Sequence, residues 1–283
     1  MTGLIIAAAV VLLIIIVLPE AVPRPRDEFK DFEGWARIPA AHRGLAGPDA
    51  PENTAAAFRR AADAGLNIEL DVRQCRDGLV IMHDGCVALP SGGTRRVRDM
   101  TVAELKQLKL PGGAEIATLD EALEAVSGRV GLIIEIKDVG VMSAIRICDV
   151  LAPVLRAYSG PYCVESFNPW ALRKFQNRLP DVPRGQLVPS FGSARKQCGM
   201  AAGWIFSNIL LCPMSRPAFV AYEYDKPQTR GLKVWIRRGG RCAVWTVIGE
   251  DDLRREMAKG NIVIFEEEQG EADAIFDRQE PKL

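Results

Sequence analysis

NIELDVR (67–73) and VGLIIEIK (130–137) are the two stretches whose reading decides the fold. In an extended chain, successive side chains point to opposite faces. Glu69 and Asp71 therefore share one face of the first run, while Ile68, Leu70 and Val72 share the other. In the second run Gly131, Ile133, Glu135 and Lys137 share a face, with Leu132, Ile134 and Ile136 opposite. Each run is apolar on one side and carries ionisable groups near its carboxyl end on the other. Surface carboxylates on amphipathic strands are the plainer reading. The apolar faces oppose it, because the outward face of a barrel strand meets helices and has to be hydrophobic.

Further β-like runs lie on either side of these two: IPAAH (38–42), PYCVESF (161–167), RGQLV (184–188), PAFVAYE (217–223), CAVWTV (242–247) and NIVIF (261–265). Helical segments separate them, among them NTAAAFRRAADAG, TVAELKQL, TLDEALEAV, SAIRICDVLAPVLRAY, NPWALRKFQNRL and DDLRREMAKG. Thr101 with Glu104 and Thr118 with Glu121 fit capping boxes, in which each side chain satisfies an orphan N–H of the helix start. Asn53 is placed to cap the helix that begins at Ala55, and Gly65 and Gly260 stop their helices. Eight strands alternating with helices predict an α/β fold, a TIM-like (β/α)8 barrel. A doubly wound open sheet is the alternative, but nothing like G-x-G-x-x-G opens a helix here.

The chain is divided before the barrel begins. LIIAAAVVLLIIIVL (4–18) is apolar throughout, and no charged residue precedes Glu20. That length suits a helix crossing hydrocarbon, about 20 residues at ~1.5 Å each. A cleaved signal peptide would carry basic residues before the apolar run, whereas Arg24, Arg26 and Lys30 follow it. The expected organisation is a transmembrane anchor at 1–19, a Pro-rich linker at 20–33 and a barrel domain at 34–283. Arg24 and Arg26 favour a cytoplasmic body by the positive-inside rule. MAAGWIFSNILLCPM (200–214) is nearly uncharged, and reads as a buried barrel helix or as a surface lying on the membrane.

Of 283 residues, 48% are hydrophobic and 25% charged, which excludes wholesale disorder. Lys+Arg and Asp+Glu both number 36, so bulk positive charge for nucleic-acid binding is absent. No protein partner is indicated. The seven cysteines never fall as C-x-x-C, which points to reduced thiols rather than a zinc cage or a disulfide scaffold.

Three carboxylates brought together at a barrel rim need a cation to neutralise them. An all-oxygen donor set selects a hard ion, Mg2+ or Ca2+, over zinc. The two histidines, His42 and His83, each end an apolar run beside charge and glycine. Imidazoles are the natural acid–base pair near neutral pH.

AHRGLAGPDAPENTAAAF (41–58), IELDV (68–72), DGLVIMHDG (77–85) and IIEIK (133–137) closely resemble the glycerophosphodiester phosphodiesterase family. The likeness runs more weakly through VESFNPWAL (164–172) and VWTV (244–247). It implies a TIM-like barrel that uses a divalent metal to hydrolyse a glycerophosphodiester to glycerol 3-phosphate and an alcohol. The expected anchor extends the substrates to lysophospholipids or glycerophospholipid head groups, with a related phosphomonoester as product. Carried onto this chain, His42 and His83 correspond to the acid–base pair, and Glu69, Asp71 and Glu135 to metal ligands. Arg43 and Lys137 would contact the phosphate. Glu52 would face the metal or the glycerol, and Phe167 and Trp245 would line the pocket. Family members often have Ser where Glu165 stands, so an extra carboxylate enters the pocket here. Glu266 to Glu268 read as a solvated loop. Two other readings compete: a catalytically silent membrane-tethered binder of phospholipid head groups, and a phosphoinositide-type lyase giving a cyclic phosphate.

Overall fold

A computed structural model of the chain describes residues 20, 22, 32–110, 113–137 and 140–267. The strands are β1 (Ala40–Ala41), β2 (Asn67–Gln74), β3 (Leu79–Ile81), β4 (Cys86–Ala88), β5 (Thr94–Arg96), β6 (Leu132–Ile136), β7 (Tyr162–Ser166), β8 (Arg184–Val188), β9 (Phe219–Glu223), β10 (Arg241–Ile248) and β11 (Ile262–Glu266). β1, β2 and β6 to β11 run parallel in that order, and β11 pairs back onto β1, which itself pairs with β2. The sheet is therefore closed into an eight-stranded TIM-like barrel. Its strands are the eight expected runs: β8 has the expected ends, β2 and β10 run longer by one and two residues, β11 is shifted by one, and β1, β6, β7 and β9 are trimmed by two or three. β3 adds antiparallel to the carboxyl end of β2, with Val72 opposite Ile81. β4 and β5 form a separate antiparallel pair. Both belong to the long excursion between β2 and β6, which builds one wall of the rim.

The expected helix starts hold at Thr101 and Thr118, where both halves of each capping box form. Asn53 does not cap its helix. Thr54 does, accepting from the Ala57 N–H, and this frees the Asn53 amide for the site described below. Residues 200–214 are not one buried helix. Helix Met200–Ser207 and a short turn of helix at Cys212–Ser215 are separated by Ile209 in the left-handed region, at φ 52°. Trp204, Ile205 and Phe206 are half-buried. Helix Phe191–Cys198, which precedes Met200–Ser207, and helix Arg230–Arg237 complete the shell without having been expected.

Two apolar cores flank the barrel wall. Outside it, Ile68, Leu70, Val72, Leu132, Ile134, Ile136 and Val164 pack against helix residues such as Phe58, Leu151, Phe175 and Trp235. Inside it, Ile133, Cys163, Leu187, Phe219, Ala243 and Ile264 fill the lower barrel together with Phe32. Helix Phe32–Ala36, which begins inside the expected linker, closes the bottom; Phe32 stacks on Phe219 at 5.4 Å and meets Trp35 edge to face at 5.2 Å. A Cβ on Gly131 would lie 2.1 Å from the Trp35 ring, so only glycine lets this helix seat. One alternation further along β6 and β7, Ile133 gives way to Glu135 and Cys163 to Glu165. The interior thus turns from apolar to charged at the carboxyl rim, where barrels place their sites.

The anchor expected at 1–19 lies outside the described residues, and no helix among the described residues is long and apolar enough to cross a membrane. Glu20 pairs with Arg230 and Arg237, and Val22 is buried in the same outer core as Leu232 and Trp235 of that helix.

Candidate active site

The turn after β1 is built by HRG. Arg43 is left-handed, at φ 59°, and Gly44 follows at φ 83°. A Cβ on Gly44 would come within 2.9 Å of Ala57 and Phe58, so the helix packs against bare backbone. The turn aims the Arg43 N–H at Glu69 Oε2, 3.1 Å away. The Arg43 guanidinium reaches Glu52 at 2.8 Å and Asp71 at 3.3 Å. Asn53, also left-handed at φ 57°, folds the PENT loop back by donating its N–H to the Arg43 carbonyl at 2.8 Å. Backbone strain concentrated at two neighbouring non-glycine residues is common at functional sites.

Register then gathers the acids. Asp71 lies opposite Glu135, and Glu135 opposite Glu165, on three adjacent strands. Glu69, Asp71 and Glu135 are buried, and each offers a carboxylate oxygen within 4.8 Å of the others. Lys137 lies 2.9 Å from Glu135 and 3.2 Å from Asp71. Asn53 donates to Asp71 Oδ2 at 2.8 Å, while Asp71 Oδ1 faces the Lys137 ammonium at 3.2 Å.

Burial dominates the electrostatics. It pushes the Glu69 carboxyl well above its ordinary range, and Asp71, Glu135 and Glu165 add to the push. It raises Glu135 to about 7 despite the neighbouring Lys137. Asp71 would also be raised by burial, but Lys137, the Asn53 amide and Arg43 outweigh that, and it is held below its ordinary value. Two cations therefore cannot keep every carboxylate here charged. A hard divalent cation fits the deficit, since the donors are three carboxylates whose oxygens lie within 4.8 Å of one another. Glu69, Asp71 and Glu135 could hold it.

The histidines flank this cluster. His42 Nε2 is 3.9 Å from Glu69, and its Nδ1 is 3.5 Å from Glu266. His83 follows β3, is 40% exposed and has Nδ1 2.9 Å from Asp84. Arg73 fastens its loop by donating to the His83 and Lys137 carbonyls, each at 2.9 Å. Burial and Lys137 lower the His83 pKa. Phe167 and Trp245 meet edge to face at 5.9 Å on the opposite side of the mouth.

The model of the glycerophosphoryl diester phosphodiesterase family matches residues 42–265. The chain belongs to that family. The glycerophosphodiester phosphodiesterase of Caldanaerobacter subterraneus subsp. tengcongensis is 30% identical over 232 residues, 78% of this chain and 89% of that protein. Human glycerophosphodiester phosphodiesterase 1 is 36% identical over 260 residues, 80% of this chain and 74% of that one. A solved Oleispira antarctica phosphodiesterase, in complex with the product sn-glycerol-3-phosphate, superposes with a TM-score of 0.65 at 25% identity. It covers 81% of this chain and 93% of its own. A Silicibacter pomeroyi structure shares the fold at 20% identity and a TM-score of 0.66, covering 90% and 95%. As a member of the family, the chain is a phosphoric diester hydrolase.

Within this family member, the expected residues converge unevenly. His42, Arg43, Glu69, Asp71, Glu135 and Lys137 form one connected network, with His83 beside it. Glu52 pairs with Arg43 through a half-exposed side chain, and Asn53, one residue on, reaches Asp71. Glu266 is no loop residue. It ends β11, and its carboxylate meets His42. Glu267 follows the strand, and Glu268 lies outside the described residues. Arg73 and Asn53 were missed as site residues. The one available signal was that Arg73 continues the alternation of Glu69 and Asp71 along β2. Nothing local marks Asn53 as a partner of Asp71 rather than a cap.

Proposed function

We propose that this rim cluster hydrolyses a glycerophosphodiester, or a lysophospholipid of the same head-group chemistry, to a phosphomonoester and an alcohol. The observation that carries the reading is the convergence of three buried carboxylates, two cations and two histidines on one mouth. A divalent cation, Mg2+ or Ca2+, held by Glu69, Asp71 and Glu135 would supply charge stabilisation for the phosphoryl oxygens. Arg43 offers a planar fork and Lys137 a point charge to the same oxygens. His83, its pKa lowered by burial, takes the proton from the nucleophile, which is either water or the glycerol 2-hydroxyl; in the second case water then opens the cyclic phosphate to the phosphomonoester. His42, oriented by Glu69 and Glu266, gives a proton to the departing alkoxide. Phe167 and Trp170, both 37% exposed just beyond β7, put apolar surface beside the mouth. That surface, with an anchor at 1–19 and a linker to the barrel, suits a substrate drawn from a bilayer, with the barrel on the cytoplasmic side.

The test is a panel of soluble glycerophosphodiesters and lysophospholipids, run with Mg2+, with Ca2+ and with chelator, and read by phosphorus NMR. His42→Ala and His83→Ala should each lower turnover by roughly 10^2–10^4 with an unchanged circular dichroism spectrum. Full turnover in either variant, or a cyclic phosphate as the end product, would refute the assignment.

A further inference from the structure

Among the described residues, Glu165 is a buried carboxylate of the barrel interior that the chemistry above does not use. It is 1% exposed and lies opposite Glu135 in the parallel register of β6 and β7. Its carboxylate is outside the 4.8 Å set that Glu69, Asp71 and Glu135 form, so it would have to turn toward a bound ion to join them. It shares the inward face of β7 with Cys163, which is packed in the lower core. Glu165 Oε2 has no hydrogen-bond partner. The floor beneath it is Ile133, Cys163 and Leu187, which offer no donor stronger than the Cys163 thiol. The nearest cations are already committed, Lys137 to Asp71 and Glu135, and Arg43 to Glu52 and Asp71.

A buried carboxylate without a partner is unfavourable whichever form it takes. Ionised, it lacks a counter-charge; protonated, it still leaves an oxygen unsatisfied. Counting Glu69, Asp71, Glu135 and Glu165 against Arg43 and Lys137 leaves two uncompensated negative charges, which one divalent cation cancels. We propose that Glu165 is a fourth carboxylate of the cation site and that it biases this chain toward Ca2+ over Mg2+. Ca2+ accepts six to eight oxygens in flexible geometry, whereas Mg2+ holds to an octahedron and keeps several waters. An extra carboxylate therefore adds more to Ca2+ than to Mg2+. This inference rests on Glu69, Asp71 and Glu135 holding the ion.

The experiment is calorimetric titration of the metal-stripped full chain, in nonionic detergent, with CaCl2 and separately with MgCl2. Wild type is compared with Glu165→Gln and Glu165→Ser, and with Glu135→Gln as the control for the three-carboxylate site. Glu165→Gln should weaken Ca2+ by roughly tenfold or more and Mg2+ by less, so that the preference for Ca2+ falls. Metal-free circular dichroism should be unchanged, because Gln keeps the shape. Wild-type Ca2+ affinity in both Glu165 variants overturns the proposal, and does so too if those variants merely melt at a lower temperature. If Glu135→Gln weakens Ca2+ while Glu165→Gln does not, Glu165 alone is misassigned. If neither does, the three-carboxylate reading falls first and this one with it.

Discussion

Glu135→Gln in the metal-free protein isolates the cost of burying a carboxylate at the rim. Glu135 is raised from its ordinary 4.5 to about 7, with burial the largest cause. A rise of roughly 2.5 units corresponds to about 3 kcal/mol between the two protonation states. The folded state prefers the neutral acid. Its contribution to stability is therefore fully present below about pH 4.5 and is lost as pH rises through about 7. Gln carries no such penalty. The melting temperature of Glu135→Gln should match wild type near pH 4.5 and exceed it progressively toward pH 8. At about 3 kcal/mol, with roughly 2–4 °C per kcal/mol for a domain of this size, the gap should reach roughly 6–12 °C. The assay is thermal unfolding followed by circular dichroism in EDTA from pH 4.5 to 8. Curves for wild type and variant that stay parallel across that range would refute the reasoning. Removing this charge also relieves Glu69 and Glu165, which widens the gap in the same direction. Saturating Ca2+ should reverse the sign, because the ion stabilises wild type by mass action and the variant less.

Two further outcomes follow from particular contacts. Asn53→Ala removes the amide that donates to Asp71 at 2.8 Å while leaving the helix cap at Thr54 intact. It should cost roughly 10–100-fold in metal affinity or activity, beyond the loss of about 1 kcal/mol of stability that an alanine held at φ 57° brings, as calorimetry, turnover and thermal unfolding together would show. Gly131→Ala drives a methyl into the Trp35 ring at 2.1 Å. It should destabilise the fold by about 1–3 kcal/mol, measured by urea unfolding, while the rim chemistry of the folded fraction is preserved.

Much of the fold was legible because burial on both faces writes itself locally. Strand runs such as NIELDVR and GLIIEIK carry an apolar face that helices must cover, and the capping boxes at Thr101 and Thr118 are complete within four residues. The triad Glu69, Asp71 and Glu135 was legible for the same reason, since alternation along each strand fixes which side chains point inward. Helices Phe191–Cys198 and Arg230–Arg237 were not: neither opens with a capping box, Phe191–Cys198 buries only Ala194, and Arg230–Arg237, though amphipathic, is only eight residues long. Residues 200–214 looked like one buried helix by composition, yet Ile209 breaks it and leaves Trp204 and Phe206 half-exposed to solvent.

What the amino-acid order alone determined is therefore one-dimensional: which residues are strand, which face each side chain takes, and that acids and histidines end the strands. Closure of the barrel decided the rest. Only when β11 pairs with β1 does Glu266 meet His42, across more than two hundred residues of chain. Only the register of β6 and β7 places Glu165 beside Glu135, and only the left-handed turn at Arg43 and Asn53 sends Glu52 onto Arg43 and the Asn53 amide onto Asp71. Pairing register and backbone turns are set by contacts between distant segments, which no local pattern encodes.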